Sequence, residues 1–206
     1  MEDQLTRNST IDRPSGLNKS KLRFLLSLVL VLAVAAIACA SSSSERGSSI
    51  VGDESSSSGD LAPDFVITMF QGEDVVGGQE VSLHRLFGEK PVVINFWAGL
   101  CPPCRAEMPD LQEFNQKFQG RTLLVGVDLG QFTGLGTEQD ARNLLAELEA
   151  TYPAGSTSDP DVIRDYEVLG MPTTIFIDRD GKIFNKWTGA LNGAVLEEKT
   201  LEMLAQ

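Results

Sequence analysis

Hydrophobic and polar positions divide the chain into three regimes. Residues 24–40 (FLLSLVLVLAVAAIACA) form an unbroken apolar run without a charge, and residues 41–60 (SSSSERGSSIVGDESSSSGD) are dominated by serine and glycine. From Leu61 onward, apolar blocks of strand length alternate with stripes at helical spacing, the pattern of a packed domain. Ala62-Pro63-Asp64-Phe65 opens an extended segment through Phe70, a turn covers Gly72 to Gly78, and Val81-Ser82-Leu83 leads to a short helix near His84 to Phe87. Pro91–Ala98 reads as a central buried strand. Cys101–Gly120 is the first long helix, with Cys104, Glu107, Met108, Leu111, Phe114, Asn115 and Phe118 on one face and a kink predicted at Pro109.

Arg121–Leu129 is the next buried strand, followed by a Gly-rich loop from Gly130 to Gly136 and a helix over Thr137–Thr151. Tyr152–Ser158 is extended or turn. Asp159 is predicted to cap a short helix that has Pro160 in its first turn and runs to Tyr166. Met171–Asp178 and Lys182–Thr188 form a hairpin around Arg179-Asp180-Gly181, and Ala194–Ala205 closes the chain as an amphipathic helix. This order predicts an α/β domain over residues 61–206, a central mixed β-sheet flanked by helices on both faces.

Charge and the N-terminal regimes set the compartment. The 206 residues carry a net charge of −12, and residues 61–206 hold 11 Lys and Arg against 22 Asp and Glu. That balance argues against nucleic acid as a partner, which demands basic surface. Residues 1–23 place Arg7, Arg13, Lys19, Lys21 and Arg23 close to the apolar run, which holds this end in the cytoplasm. Seventeen residues rise ~26 Å as a helix, at the short edge of a membrane crossing. Residues 24–40 are therefore a signal or a membrane anchor, and the rest of the chain lies outside the cytoplasm. Cys39 leaves two readings open. It becomes the lipidated first residue of a mature lipoprotein, or it is a small apolar residue in an uncleaved anchor. Residues 41–60 are a flexible linker, because little in them offsets the entropy of ordering.

The chemistry concentrates in Asn95–Pro109, NFWAGLCPPCRAEMP. Cys101 and Cys104 sit where a strand gives way to a helix. The free amides and positive dipole end of a helix N-terminus favour thiolate over thiol, and Pro102 and Pro103 suit a first turn that needs no N–H donors. The offset of three residues brings the two sulfurs within reach of a disulfide. Glu107 falls on the same face as Cys104. Facing inward, it is desolvated, its pKa rises, and it can exchange protons with Cys104; facing outward, it is a solvated helix residue. Zinc needs four ligands, and the domain offers two thiols and His84. No metal or cofactor is expected.

These residues resemble the active site of the thioredoxin superfamily. Cys-Pro-Pro-Cys-Arg-Ala-Glu-Met-Pro is similar, more narrowly, to the membrane-tethered TlpA/ResA-like thiol–disulfide oxidoreductases, over roughly residues 61–206. The resemblance implies a thioredoxin-like fold with the family's N-terminal extension and central insertion. It implies Cys101 as the attacking thiolate, more exposed than Cys104, and Cys104 as the resolving thiol. Glu107 occupies the place of a family glutamate, whereas Asn95 stands where cytosolic thioredoxins bury an aspartate. Met171-Pro172-Thr173 resembles the cis-proline loop that faces the cysteines, with Met171 and Pro172 binding a substrate strand. Trp97 resembles the tryptophan beside the site, although it also fits as a core aromatic. Gly189-Ala190-Leu191 resembles the third loop of the site.

The implied function is an extracytoplasmic thiol–disulfide oxidoreductase with protein cysteines as substrates. The Pro-Pro dipeptide lacks the histidine of strong oxidants and favours a reductant, supplied by a membrane thiol donor; maturation of cytochrome c is one role such families serve. Two alternatives use related folds. A peroxiredoxin-like peroxidase would need Pro and Thr where Ile94 and Ala98 stand, and a copper-delivery protein would need a histidine beyond His84.

Overall fold

The computed structural model describes residues 59–206. The expectations placed on residues 1–58, namely the basic segment, the apolar run with Cys39 and most of the linker, lie outside the described residues. Asp60 and Gly59, assigned above to the linker, already belong to the domain: Gly59 N–H donates to Ile183 O and Ile183 N–H donates to Asp60 O. Among the described residues, no helix is long and apolar enough to cross a membrane.

The chain runs β1 (Val66–Gln71), α1 (Glu73–Val76), β2 (Glu80–Ser82), a 3-10 turn (Leu83–Leu86), β3 (Val92–Trp97), α2 (Pro102–Phe118), β4 (Leu123–Asp128) and α3 (Gly130–Thr133). It continues through α4 (Glu138–Glu147), β5 (Ala154–Ser156), α5 (Val162–Asp165), β6 (Thr173–Ile177) and β7 (Ile183–Thr188) to α6 (Gly193–Leu204). One seven-stranded sheet has the order β2-β1-β5-β4-β3-β6-β7. β3 pairs in parallel with β4 and antiparallel with β6, so the sheet is mixed, and β3 is buried along its whole length.

Strand alternation sorts β3 onto two cores. Val93 and Trp97 face a cluster built with Cys104, Met108, Leu111, Phe114 and Phe118 of α2 and Leu196 and Met203 of α6. Val92, Ile94 and Phe96 face a second cluster with Phe65, Ile67, Leu83, Val162 and Tyr166. Asn95 shares the parity of Val93 and Trp97, and so points at α2. The stripe expected on α2 is buried at Cys104, Glu107, Met108, Leu111, Phe114 and Phe118. The helix runs as one element through Pro109.

Several boundaries differ from the sequence reading, each for a physical reason. The turn after β1 and the Gly-rich loop each contain one helical turn, α1 and α3, closed by left-handed Gly77 and Gly134. α4 begins after Thr137, whose hydroxyl and Asp140 form a capping box, and it stops at Glu147, before Glu149 takes a positive φ. Asp159 is not a helix cap. Its carboxylate accepts from Asp161 N–H in a turn, and α5 starts only at Val162. Ala154–Ser156 is a true strand, bridging β1 and β4. Gly155 permits this, because a Cβ there would lie 2.3 Å from Thr68 O.

Candidate active site

The site forms where β3 ends and α2 begins. Cys101 is the N-cap residue of α2, with Pro102 and Pro103 following. Cys104 N–H points at Cys101 Sγ, 3.3 Å away, and the two cysteines are joined as a disulfide with Cα atoms 5.3 Å apart. In the dithiol form, the same amide and the helix dipole favour a thiolate at Cys101.

Both sulfurs are sheltered, and the greater exposure expected of Cys101 is slight. Cys101 is 3% exposed and Cys104 is fully buried. Both pack into the cluster that contains Trp97, Ala98 and Leu191. The sulfur of an N-cap residue turned back over its own helix is sheltered by the first turn, and the bond to Cys104 draws it further in. Trp97 has no exposed surface and packs into the same cluster as both cysteines.

Glu107 lies one turn below Cys104 and is 1% exposed. Asn95 Nδ2 donates to Glu107 Oε1 at 2.7 Å, and Leu191 N–H donates to Glu107 Oε2 at 2.9 Å. Asn95 Nδ2 also donates to Thr174 Oγ1 at 3.1 Å. The inward reading of Glu107 is therefore the one observed. Burial pushes its carboxyl up to about 7 against the opposing pull of those two donors. The group thus changes charge near neutral pH, as proton exchange with a thiol demands. Tyr152, fully buried, is held in its neutral form by desolvation and by the Glu107 charge.

Three loops meet at the cysteines. Met171-Pro172 is a cis peptide, with Met171 half-buried and Pro172 buried. Pro172 O accepts from Gly189 N–H at 2.8 Å, which ties this loop to the Gly189–Leu191 loop that holds Glu107. Met171 and Leu191 pack against the cluster that contains both cysteines. Leu100, one residue before Cys101, is 60% exposed. Among the described residues, no group of three or more His, Cys, Asp or Glu converges as a metal site.

The sequence reading did not single out Asp128 or Thr174. Asp128 ends β4 opposite Trp97 in the parallel register, with no exposed surface. Its Oδ1 accepts from Gly130 N–H at 3.2 Å, and its Oδ2 has no hydrogen-bond partner. Its only sequence signal was an Asp at the end of an apolar strand before glycines, which reads equally well as a turn residue.

The chain is similar to known proteins over most of its length. Residues 58–186 match the AhpC/TSA family. The chain is 33% identical to the thiol-disulfide oxidoreductase ResA of Oceanobacillus iheyensis, over 91% of this chain and 90% of that protein. It is 27% identical to ResA of Bacillus cereus, over 88% and 96%. A solved structure assigned as a thiol:disulfide interchange protein DsbE from Chlorobium tepidum aligns with a TM-score of 0.59 and 31% identity, covering 71% of this chain and 97% of that one.

Proposed function

Since the chain belongs to the AhpC/TSA family, among its TlpA/ResA-like thiol–disulfide oxidoreductases of thioredoxin-like fold, we propose that it reduces disulfides of protein substrates outside the cytoplasm while tethered to the membrane through its N-terminus. Thiol–disulfide exchange is its chemistry. The observation that carries the finer reading is the Cys101–Cys104 disulfide closed over the tip of α2, with a buried, near-neutral carboxyl one turn below.

The Cys101 thiolate attacks one sulfur of a substrate disulfide. That bond breaks, the second substrate sulfur leaves as a thiolate and takes up a proton, and a mixed disulfide forms. Glu107, as carboxylate, accepts the proton of Cys104. The new thiolate attacks Cys101 Sγ, releases the remaining substrate thiol and leaves the Cys101–Cys104 disulfide. Two electrons have moved from the dithiol to the substrate. A thiol donor held in the membrane restores the dithiol. Met171 offers backbone groups to an extended substrate segment beside the cysteines, and Pro172 shapes that loop.

Tethering is supported by the uncharged run of residues 24–40 and the basic residues before it. Apocytochrome c cysteines are one substrate class consistent with such a reductant. The test uses the full chain in detergent with a reducing thiol. A protein disulfide is reduced by the unaltered protein and not by Cys101→Ala. Cys104→Ala accumulates mixed disulfides, and mass spectrometry of these identifies the substrates. Retained activity in Cys101→Ala would overturn the assignment of the attacking sulfur.

A further inference from the structure

The segment that carries Met171 and Pro172 hangs between two anchors supplied by β7 and the residue that follows it. Gly189 N–H, directly after the strand, donates to Pro172 O at 2.8 Å. Three residues earlier, Lys186 Nζ donates to Glu167 O and to Glu167 Oε2, each at 3.0 Å. Val168, Leu169, Gly170 and Met171 lie between these anchors. Thr173 Oγ1 braces the span by donating to Gly170 O at 2.7 Å. Met171 packs against both cores.

Lys186 is a costly residue for this post. It stands opposite Ile175 in the antiparallel register and so shares the face that buries Ile175 in the second core. Its side chain is only 5% exposed, and a sealed ammonium is stable only with partners. Glu167 shows what the ammonium is for. α5 ends in a Schellman turn, in which Val168 N–H donates to Ile163 O at 2.8 Å and Glu167 N–H donates to Arg164 O at 3.0 Å. The residue at the bend of such a turn takes a left-handed conformation and is usually glycine. Here it is Glu167, with φ 47°. A β-carbon makes that conformation costly, so the bend needs an outside hold. Lys186 grips its backbone and its side chain together.

We propose that Lys186 is a positioning residue for substrate binding: by clamping the left-handed bend at Glu167, it sets where the Met171–Pro172 loop lies, and so how that loop receives an extended substrate segment. The ammonium touches neither substrate nor cysteine. It acts on binding and leaves the sulfur chemistry alone. The proposal rests on the reading of Met171 as the residue that meets the substrate backbone.

The test compares two substrates of the reduced full chain in detergent, a peptide cyclised by a disulfide and hydroxyethyl disulfide, which has no backbone to pair. Lys186→Met keeps an apolar stem and leaves the exposed Glu167 in water, a replacement that buried ion pairs commonly tolerate. It is expected to raise KM for the peptide about tenfold, the scale of a lost charge-assisted hydrogen bond, with kcat and the rate on hydroxyethyl disulfide unchanged. Hydrogen exchange at the Gly189 amide is expected to accelerate in the same variant. Glu167→Ala is expected to raise KM for the peptide, whereas Glu167→Gly, which takes the bend without strain, stays near the unaltered value; this pair decides if Lys186→Met does not fold. An unmoved KM in folded Lys186→Met, an equal loss toward hydroxyethyl disulfide, or identical behaviour of Glu167→Ala and Glu167→Gly would each overturn the proposal. Failure of the unaltered protein to reduce the peptide, with Gly189 exchange still faster in Lys186→Met, would overturn the proposed function and uphold the clamp.

Discussion

Two carboxylates are buried close to the disulfide, and they differ in what surrounds them. Glu107 has a donor on each oxygen, one from a side chain and one from a backbone. Asp128 holds one backbone amide, that of Gly130, and leaves Oδ2 unpaired, with the carboxylates of Glu138 and Asp140 from α4 adding repulsion. Burial raises both, Glu107 to about 7 and Asp128 to about 6. The difference lies in the element that carries each group. Glu107 rides on α2, one turn from Cys104, where a proton can pass to a sulfur. Asp128 rides at the end of a central strand, where it holds the Gly130 amide. A raised pKa therefore marks burial at both places, and only Glu107 is proposed to exchange a proton with a sulfur.

The same carboxyl-to-amide change should separate them most sharply. Glu107→Gln keeps an acceptor but removes the titrating group. It is expected to lower disulfide-reductase kcat/KM by about 10²-fold and to abolish the limb of the pH–rate profile near 7. Equal activities for Glu107→Gln and the unaltered protein across that range would leave Glu107 with packing alone.

Stability against pH should show the next largest effect. A carboxyl raised above its unfolded value binds more protons in the native state. Its stabilising contribution is complete below the unfolded pKa and is lost as pH rises through the folded one. For Glu107 that loss runs from about 4.5 to about 7, on the order of 3 kcal/mol. For Asp128 it runs from about 3.8 to about 6. Urea denaturation at a series of pH values should therefore show a decline for the native chain up to pH about 7. The decline should end near pH 6 in Glu107→Gln. A decline that still reaches pH about 7 in that variant would contradict the assignment.

The smallest effect concerns Tyr152, whose buried hydroxyl has no partner. Removing it in Tyr152→Phe frees an unsatisfied group, and the variant is expected to be neutral or more stable by about 1 kcal/mol in the same denaturation measurement. A clear loss of stability would mean that the hydroxyl is satisfied near Glu107, and the environment drawn around that carboxylate would need revision.

The two carboxylates also show what the sequence reveals. Glu107 was legible because local periodicity put a charge on an apolar helical stripe, three residues after Cys104. Its partner Asn95 was legible as a polar residue within a strand otherwise buried along its length. Asp128 was not, since an Asp that ends an apolar strand before glycines reads equally well as a turn residue. Order and type of the long elements followed from apolar spacing. The strand Ala154–Ser156 escaped because AGS carries no alternation and is recruited by its neighbours β1 and β4. The shelter of Cys101 and Trp97 was hidden for a similar reason. Exposure at a helix tip depends on what packs over it, and Met171 and Leu191 join the cysteines' cluster from far along the chain.

The central claim is that Cys101, sheltered as it is, becomes an acidic and reachable sulfur once the disulfide is reduced. Alkylation of the reduced protein as a function of pH, with the site of modification read by mass spectrometry, measures this directly. The account predicts that Cys101 reacts first, with a midpoint below the ~8.5 of a free thiol. A midpoint at or above that value, or modification of Cys104 before Cys101, would contradict it.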